Sequence, residues 1–269
     1  MSEVLNLKTP VTYYGGKQLL AKEILPMIPK HNLYCEPFAG GAAIFFAKQP
    51  SEVEILNDTN RELINFYRVI KDDFTSLEKE IKITLHSRDL HRKASVIYNN
   101  PDMFSELKRA WALWVLSSQG FAGQLDSSWG YDKTKNSTPK KIANKREAFT
   151  YELAIRLQQV QLECADALYV IRSRDTKEAF FYADPPYFNS DMGHYDGYSR
   201  EDFEALLRLL GGIQGKFLLS SYPSDLLTAY TKAQGWRSKS MRSLVSVAAK
   251  SGKQKQKTEV LTANYDWCV

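Results

Sequence analysis

Leu33-Tyr34-Cys35-Glu36-Pro37-Phe38-Ala39-Gly40-Gly41 is the stretch whose reading decides the fold. Leu33 to Phe38 reads as a short strand, and Gly40-Gly41 as a tight turn. Ala42 to Lys48 follows as a small apolar helix, and Val53 to Asn57 as a second strand closing on Asp58. This strand–turn–helix–strand unit is the opening of a doubly wound α/β domain. Glycine in the turn lets the backbone approach a ligand with no Cβ in the way. Asp58 stands where such units place a carboxylate on ribose hydroxyls. The full G-x-G-x-x-G of a dinucleotide enzyme is absent, and nothing is arranged for a pyrophosphate. The unit therefore suits an adenosine ligand without phosphates; a tight connection with no ligand is the alternative.

Strand signals return at Ala167 to Ile171 and at Ala179 to Ala183, the latter running into Asp184-Pro185-Pro186-Tyr187. Neither proline supplies an N–H to a ladder, so the chain must leave the sheet there. A stiff turn at a strand end results, with a carboxylate before it and an aromatic ring after it. That combination can hold a planar aromatic amine. Asp184 would accept one N–H and the Pro185 carbonyl the other, while Tyr187 stacks on the base. Such an amine is a poor nucleophile because its lone pair is delocalised. Orientation toward an electrophilic methyl sulfonium, rather than prior deprotonation, is the chemistry expected. The first hypothesis is thus methylation of a base amine with S-adenosylmethionine as donor, S-adenosylhomocysteine as product and no metal. A duplex base would have to flip out to reach the turn.

The chain has 269 residues, 43% hydrophobic and 25% charged, which suits a globular protein with a real core. No stretch approaches the roughly 18 apolar residues of a membrane span. Met1 to Lys8 lacks a signal-peptide core, and three unrelated cysteines (Cys35, Cys164, Cys268) form no disulfide or metal pattern, so a cytoplasmic location is expected. Net charge is only +5, but Lys133 to Arg146 and Arg237 to Lys257 are basic runs without acids. Two such runs point to a polyanion partner. From Thr59 to about Gln161 apolar residues recur at helical spacing, as in Leu63, Phe66, Tyr67 and Ile70 or Trp111, Trp114 and Val115. This region is read as a helical insert. Ser199 with Asp202 forms a capping-box pattern opening a helix to Leu210. Phe217 to Ser221 reads as a buried strand, Asp225 to Gln234 as a helix, and Ser243 to Ala249 with Glu259 to Tyr265 as a terminal hairpin.

Tyr13 to Lys17, Glu36 to Gly41, Asp58, Asp184 to Tyr187 and Glu259-Val260-Leu261 with Asn264-Tyr265 occur in this order. Together they resemble the Dam-type DNA adenine-N6 methyltransferases of bacteria and their phages. The resemblance implies an α/β, Rossmann-like class I methyltransferase with a mixed seven-stranded sheet. Residues 1–58 and 162–269 would form the catalytic domain, and 59–161 a helical target-recognition insert. Tyr13, Lys17, Glu36, Phe38, Gly40, Gly41, Asp58, Asp166 and Asp184 form the candidate cofactor set; Asp184, Pro185, Pro186 and Tyr187 form the catalytic turn. For double-stranded DNA the candidates are Phe121, Gln124, Lys133, Lys135, Lys140, Lys141, Lys253 and Lys255, with Lys145 as a further phosphate contact. Members reading GATC often carry a basic residue where this chain has Thr12, and an arginine after an aromatic-Asn-Gly where it has Phe121-Ala122-Gly123-Gln124. Glutamine suits adenine where arginine suits guanine, so the recognition sequence stays open. A monomer, nucleoid-associated or phage-encoded, is expected, with a cognate restriction nuclease as a candidate partner.

The rivals are an N4-cytosine methyltransferase, an RNA or protein-amide substrate, and a DNA-binding relative that no longer methylates. The incomplete glycine fingerprint disfavours a dehydrogenase. His86 and His91 are read as surface residues, Trp111 and Trp114 as core, and Cys35 and Cys164 as chemically idle.

Overall fold

The computed structural model describes residues 7–13, 16–189, 198–244 and 256–267. The chain divides into two compact units, each assembled from separate segments. One comprises Met1–Leu25, Gly40–Pro50 and Asp58–Cys164; the other comprises Pro26–Ala39, Ser51–Asn57 and Ala165–Val269.

The strands are β1 (Leu33–Glu36), β2 (Val53–Asn57), β3 (Gln161–Glu163), β4 (Ala179–Ala183), β5 (Lys216–Ser221), β6 (Arg237–Leu244) and β7 (Gln256–Ala263). They form one seven-stranded sheet in the order β3-β2-β1-β4-β5-β7-β6. β1 pairs in parallel with β2 and β4, and β4 with β5; β7 runs antiparallel to β5 and β6. This is the mixed sheet that the resemblance implied. Strand order reverses at the β1–β4 pair, where Cys35 lies opposite Phe181. Open α/β sheets bind ligands outside the carboxyl ends of the strands at such a reversal. Glu36 ends β1 and Asp184 follows β4, so both stand at that edge.

Every residue of β4 is buried, as a central parallel strand requires. Phe181, Ala183, Phe217, Leu219, Cys35 and Ile55 form the core with apolar residues of three helices: Ala167–Arg174, Arg200–Leu210 and Asp225–Gln234. The second of these buries Phe203, Leu206, Leu207 and Leu210, a stripe at helical spacing. Its capping box is formed as expected. Ser199 Oγ accepts from the Asp202 amide at 3.1 Å, and Asp202 accepts from the Ser199 amide at 2.8 Å.

One expected strand is a helix. Ala167 to Ile171 opens the helix Ala167–Arg174, and Asp166 caps it by accepting from the Tyr169 amide at 2.9 Å. The unbroken apolar run suggested a strand. The buried residues are Ala167, Val170 and Ile171, spaced for a helix, while Tyr169 is 61% exposed. The terminal hairpin is present, and among the described residues its first strand is Arg237–Leu244, which includes Ser243 and Leu244 of the expected Ser243 to Ala249; residues 245–255 lie outside the described residues.

In the other unit, helices Arg61–Asp72, Phe74–Ile83, Arg88–Asn99, Glu106–Gln119, Ser137–Glu147 and Glu152–Leu157 pack about an aromatic core. Leu63, Phe66, Tyr67, Ile70 and Trp114 are fully buried, Trp111 is 8% exposed, and Phe74 stacks on Phe149 at 5.1 Å. Through this core runs a buried ion pair: Arg109 donates to both oxygens of Glu62, at 2.8 and 2.6 Å. Removing one member of such a pair strands the other charge. Arg109→Met should cost about 3–5 kcal/mol in urea denaturation, and adding Glu62→Leu should recover most of it. If the single and double variants were equally stable, the pair would have no such role.

Candidate functional site

The turn after β1 and the residue after β2 come together through backbone bonds. The Gly40 amide donates to Asp58 Oδ2 at 2.9 Å, and the Asn60 amide to Asp58 Oδ1 at 2.8 Å. Burial raises the Asp58 pKa above the usual carboxylate value, and these two amides pull it back. Tyr67 donates to the Gly40 carbonyl at 2.6 Å, and the Thr9 hydroxyl to the Gly41 carbonyl. Gly40 has φ +47, and a Cβ there would come within 3.1 Å of the Tyr13 ring. The glycine is thus required for a positive φ and for close packing of Tyr13. Ala42 adopts φ +50, a conformation uncommon outside glycine. Asn60 bridges the Tyr13 and Tyr98 hydroxyls at 3.4 and 3.1 Å. Lys17 is only 4% exposed, so it is not a surface lysine. Tyr13, Gly40, Gly41 and Asp58 are brought together here. Asn60 and Tyr67 join them with no signal in the motifs.

In the sheet unit, Glu36 is buried and accepts from the Tyr34 hydroxyl at 2.6 Å. Phe38 packs edge-on against Tyr198 at 6.3 Å. Asn57, at 0% exposure, was not anticipated. Its side-chain amide donates to the carbonyls of Pro37 at 2.9 Å and Ala165 at 3.1 Å, and its oxygen accepts from the Ala165 amide at 2.9 Å. It ties the loop after β1 to the segment that carries Asp166. Asp166 caps the following helix by its bond to the Tyr169 amide.

At the end of β4, Asp184 is half-buried and Pro185 and Tyr187 are buried. The Tyr187 hydroxyl donates toward Asp184 Oδ1 at 3.0 Å and toward Glu259 Oε1, and Ser220 Oγ donates to the same Glu259 oxygen at 3.3 Å. Its ring lies 4.2 Å from that of Tyr222, tilted by 44°. Burial, with Asp184 and Glu259 nearby, holds the Tyr187 phenol well above its usual pKa, so it stays protonated. The turn thus presents a carboxylate beside a phenol whose single proton is shared between Asp184 and Glu259. Phe188, directly after the turn, packs on Phe203 at 5.3 Å.

Among the basic and aromatic candidates, Phe121 is 58% exposed on a short turn, Phe121–Gly123, and Gln124 is half-buried beside it. Trp129 stacks between His86 at 4.5 Å and Tyr131 at 5.6 Å, with the Arg88 guanidinium 4.9 Å from its ring. Gln119 frames this loop: its oxygen accepts from the Ser87 amide at 3.1 Å and Trp129 Nε1 at 3.3 Å, and its amide donates to the Leu85 carbonyl at 2.8 Å. Lys133, Lys135, Lys140 and Lys141 are exposed. Lys145 instead turns its ammonium inward to Ser118 Oγ at 3.2 Å. Lys253 and Lys255 lie outside the described residues. His91 is buried, 7% exposed, contrary to the surface reading: it sits on the apolar face of Arg88–Asn99 with Ala94 and Ile97.

A family model described as D12 class N6 adenine-specific DNA methyltransferase matches residues 13–206. The chain is 28% identical to the type II methyltransferase M1.LlaDCHI of Lactococcus lactis subsp. cremoris, over 97% of this chain and 96% of that protein. It is 27% identical to the DNA N-6-adenine-methyltransferase of Escherichia phage P1, over 71% of this chain but 25% of that protein. A DNA adenine methylase of Salmonella typhi is 26% identical, over 64% of this chain and 62% of its own.

Burial, with Lys141 nearby, lowers the Lys145 pKa from 10.5 to about 8. Between those values the unfolded chain holds a proton that the folded chain has released, so stability contributed by this residue rises with pH. Lys145→Met should therefore flatten the rise in urea midpoint between about pH 8 and 10.5. Parallel curves for the two proteins would show that Lys145 titrates normally.

Proposed function

The chain belongs to the D12 class of N6 adenine-specific DNA methyltransferases, and on that premise we propose how its residues divide the reaction. Residues 1–58 and 162–269 are assigned to catalysis and 59–161 to target recognition. The observation that carries the assignment is the Asp184–Tyr187 turn, leaving the fully buried β4 at the reversal of strand order.

Asp58 suits the ribose of S-adenosylmethionine. A carboxylate has about four acceptor sites, and the two backbone amides fix it while leaving capacity for hydroxyl donors. Tyr13, Gly40 and Gly41 shape the adjoining surface, and Lys17, Glu36, Phe38 and Asp166 complete the set. When bound, the cofactor supplies an electrophilic methyl sulfonium with a neutral leaving group.

The target adenine leaves the duplex at a cost of about a few kcal/mol. Asp184 accepts one N6 hydrogen and the Pro185 carbonyl the other, which localises the nitrogen lone pair and aims it. Pro186 stiffens the turn, and Tyr187, anchored at its hydroxyl, offers a ring for stacking. Phe121 and Gln124 contact the bases around the target, and the exposed lysines hold phosphates. Each such phosphate contact contributes about −0.9 to the slope of log affinity against log salt. Pairing with a restriction nuclease and action as a monomer belong to this same proposal.

Asp184→Ala should lower transfer of labelled methyl to DNA by at least about 10²–10³-fold, while DNA affinity changes little. Undiminished turnover would remove Asp184 from the mechanism. Expression in a host lacking adenine methylation, followed by sequencing that detects modified bases, reports product and site together. N4-methylcytosine, or no modified base, would favour the rival readings.

A further inference from the structure

We infer that Glu259 is a positioning residue that holds the Asp184–Tyr187 turn in working geometry, acting through the Tyr187 hydroxyl. The inference rests on the catalytic reading of that turn. β7 runs opposite to β4 and β5, so its early residues come level with the carboxyl ends of the parallel strands. Val260 pairs with Ser221 at the end of β5, and Glu259 lies one residue further toward that edge. The side chain is 7% exposed. A carboxylate is placed there at a large desolvation cost unless donors meet it. Tyr187 and Ser220 are donors that meet it.

The Tyr187 hydroxyl has one proton and faces two carboxylates, Asp184 and Glu259. Glu259 comes from a strand of the sheet and Asp184 from the turn itself. The phenol therefore links the turn to the rigid frame. Its backbone end is already restricted by Pro185-Pro186. Held at both ends, the ring cannot swing, and its hydroxyl keeps its 3.0 Å distance from Asp184 Oδ1, which shares the one proton with Glu259. Misplacement by about 1 Å at a reacting centre can lower a rate by about 100-fold, so this contact matters to the chemistry without touching substrate.

The test is single-turnover methyl transfer from S-adenosylmethionine to duplex DNA by the full chain. Glu259→Ala should lower the rate by about 10–100-fold, with KM for DNA and for S-adenosylmethionine little changed. Glu259→Gln keeps an oxygen acceptor for the phenol and should restore most of the rate. Tyr187→Phe removes the same contact from its other side, so it should lose rate too, and adding Glu259→Ala should cost nothing more. A wild-type rate in Glu259→Ala, equal losses in the Gln and Ala variants, or additive losses would overturn the inference. If Glu259→Ala does not fold, Tyr187→Phe and Glu259→Gln decide: an unchanged rate in the first, or a lost rate in the second, overturns it. Wild-type protein that methylated no DNA would instead refute the underlying catalytic reading.

Discussion

Burial of β4 on both faces is the constraint from which the rest of the molecule follows. A strand with neighbours on each side and both faces buried must be apolar throughout, and Ala179–Ala183 is. It must also end abruptly, because the next residues are polar or lack an N–H. Asp184 is therefore delivered to the edge of the sheet with little freedom, followed by two prolines that cannot re-enter the ladder. β1 approaches the same edge beside it, held in register from Leu33 opposite Ala179 to Cys35 opposite Phe181. The site's location is a consequence of how the core is filled.

In both units the protein keeps acidic groups wholly or partly out of water, and it answers each case with a directed donor. Asp58 receives two backbone amides, Glu36 a tyrosine hydroxyl, and Glu259 a tyrosine and a serine hydroxyl. Backbone amides and phenols are stiff donors, so each carboxylate gains an orientation along with its neutralising bonds. Arg109 does the same for Glu62 in the helical unit with two parallel bonds.

Features set by neighbours in sequence were legible from sequence. The β1–turn–β2 unit, the Ser199 capping box and the proline turn each depend on residues within a few positions. The family resemblance added the sheet's mixed character, and the match over residues 13–206 bears out the family. Features set by folding were not legible. Glu259 lies 72 residues from Tyr187 and reaches it only because β7 is antiparallel. Asn57 looked like the last residue of a strand, yet it bonds to Ala165, 108 residues further on, as well as to Pro37. Lys145 shares its basic run with four exposed lysines, and only the helix phase turns it inward. Ala167 to Ile171 has the composition of a buried strand, and the cap at Asp166 decides otherwise.

Gln119 has a consequence for how such a protein diversifies. Its side chain and backbone secure Ser87, Leu85, Trp129 and Gly130 from beneath, entirely within the helical core. The segment between Phe121 and Ser128 is then a loop with both ends clamped, the Phe121 amide donating to the Ser128 carbonyl at 2.8 Å. On the proposed role of this loop in reading DNA, a lineage would change which sites it marks through residues held apart from the Asp184–Tyr187 turn.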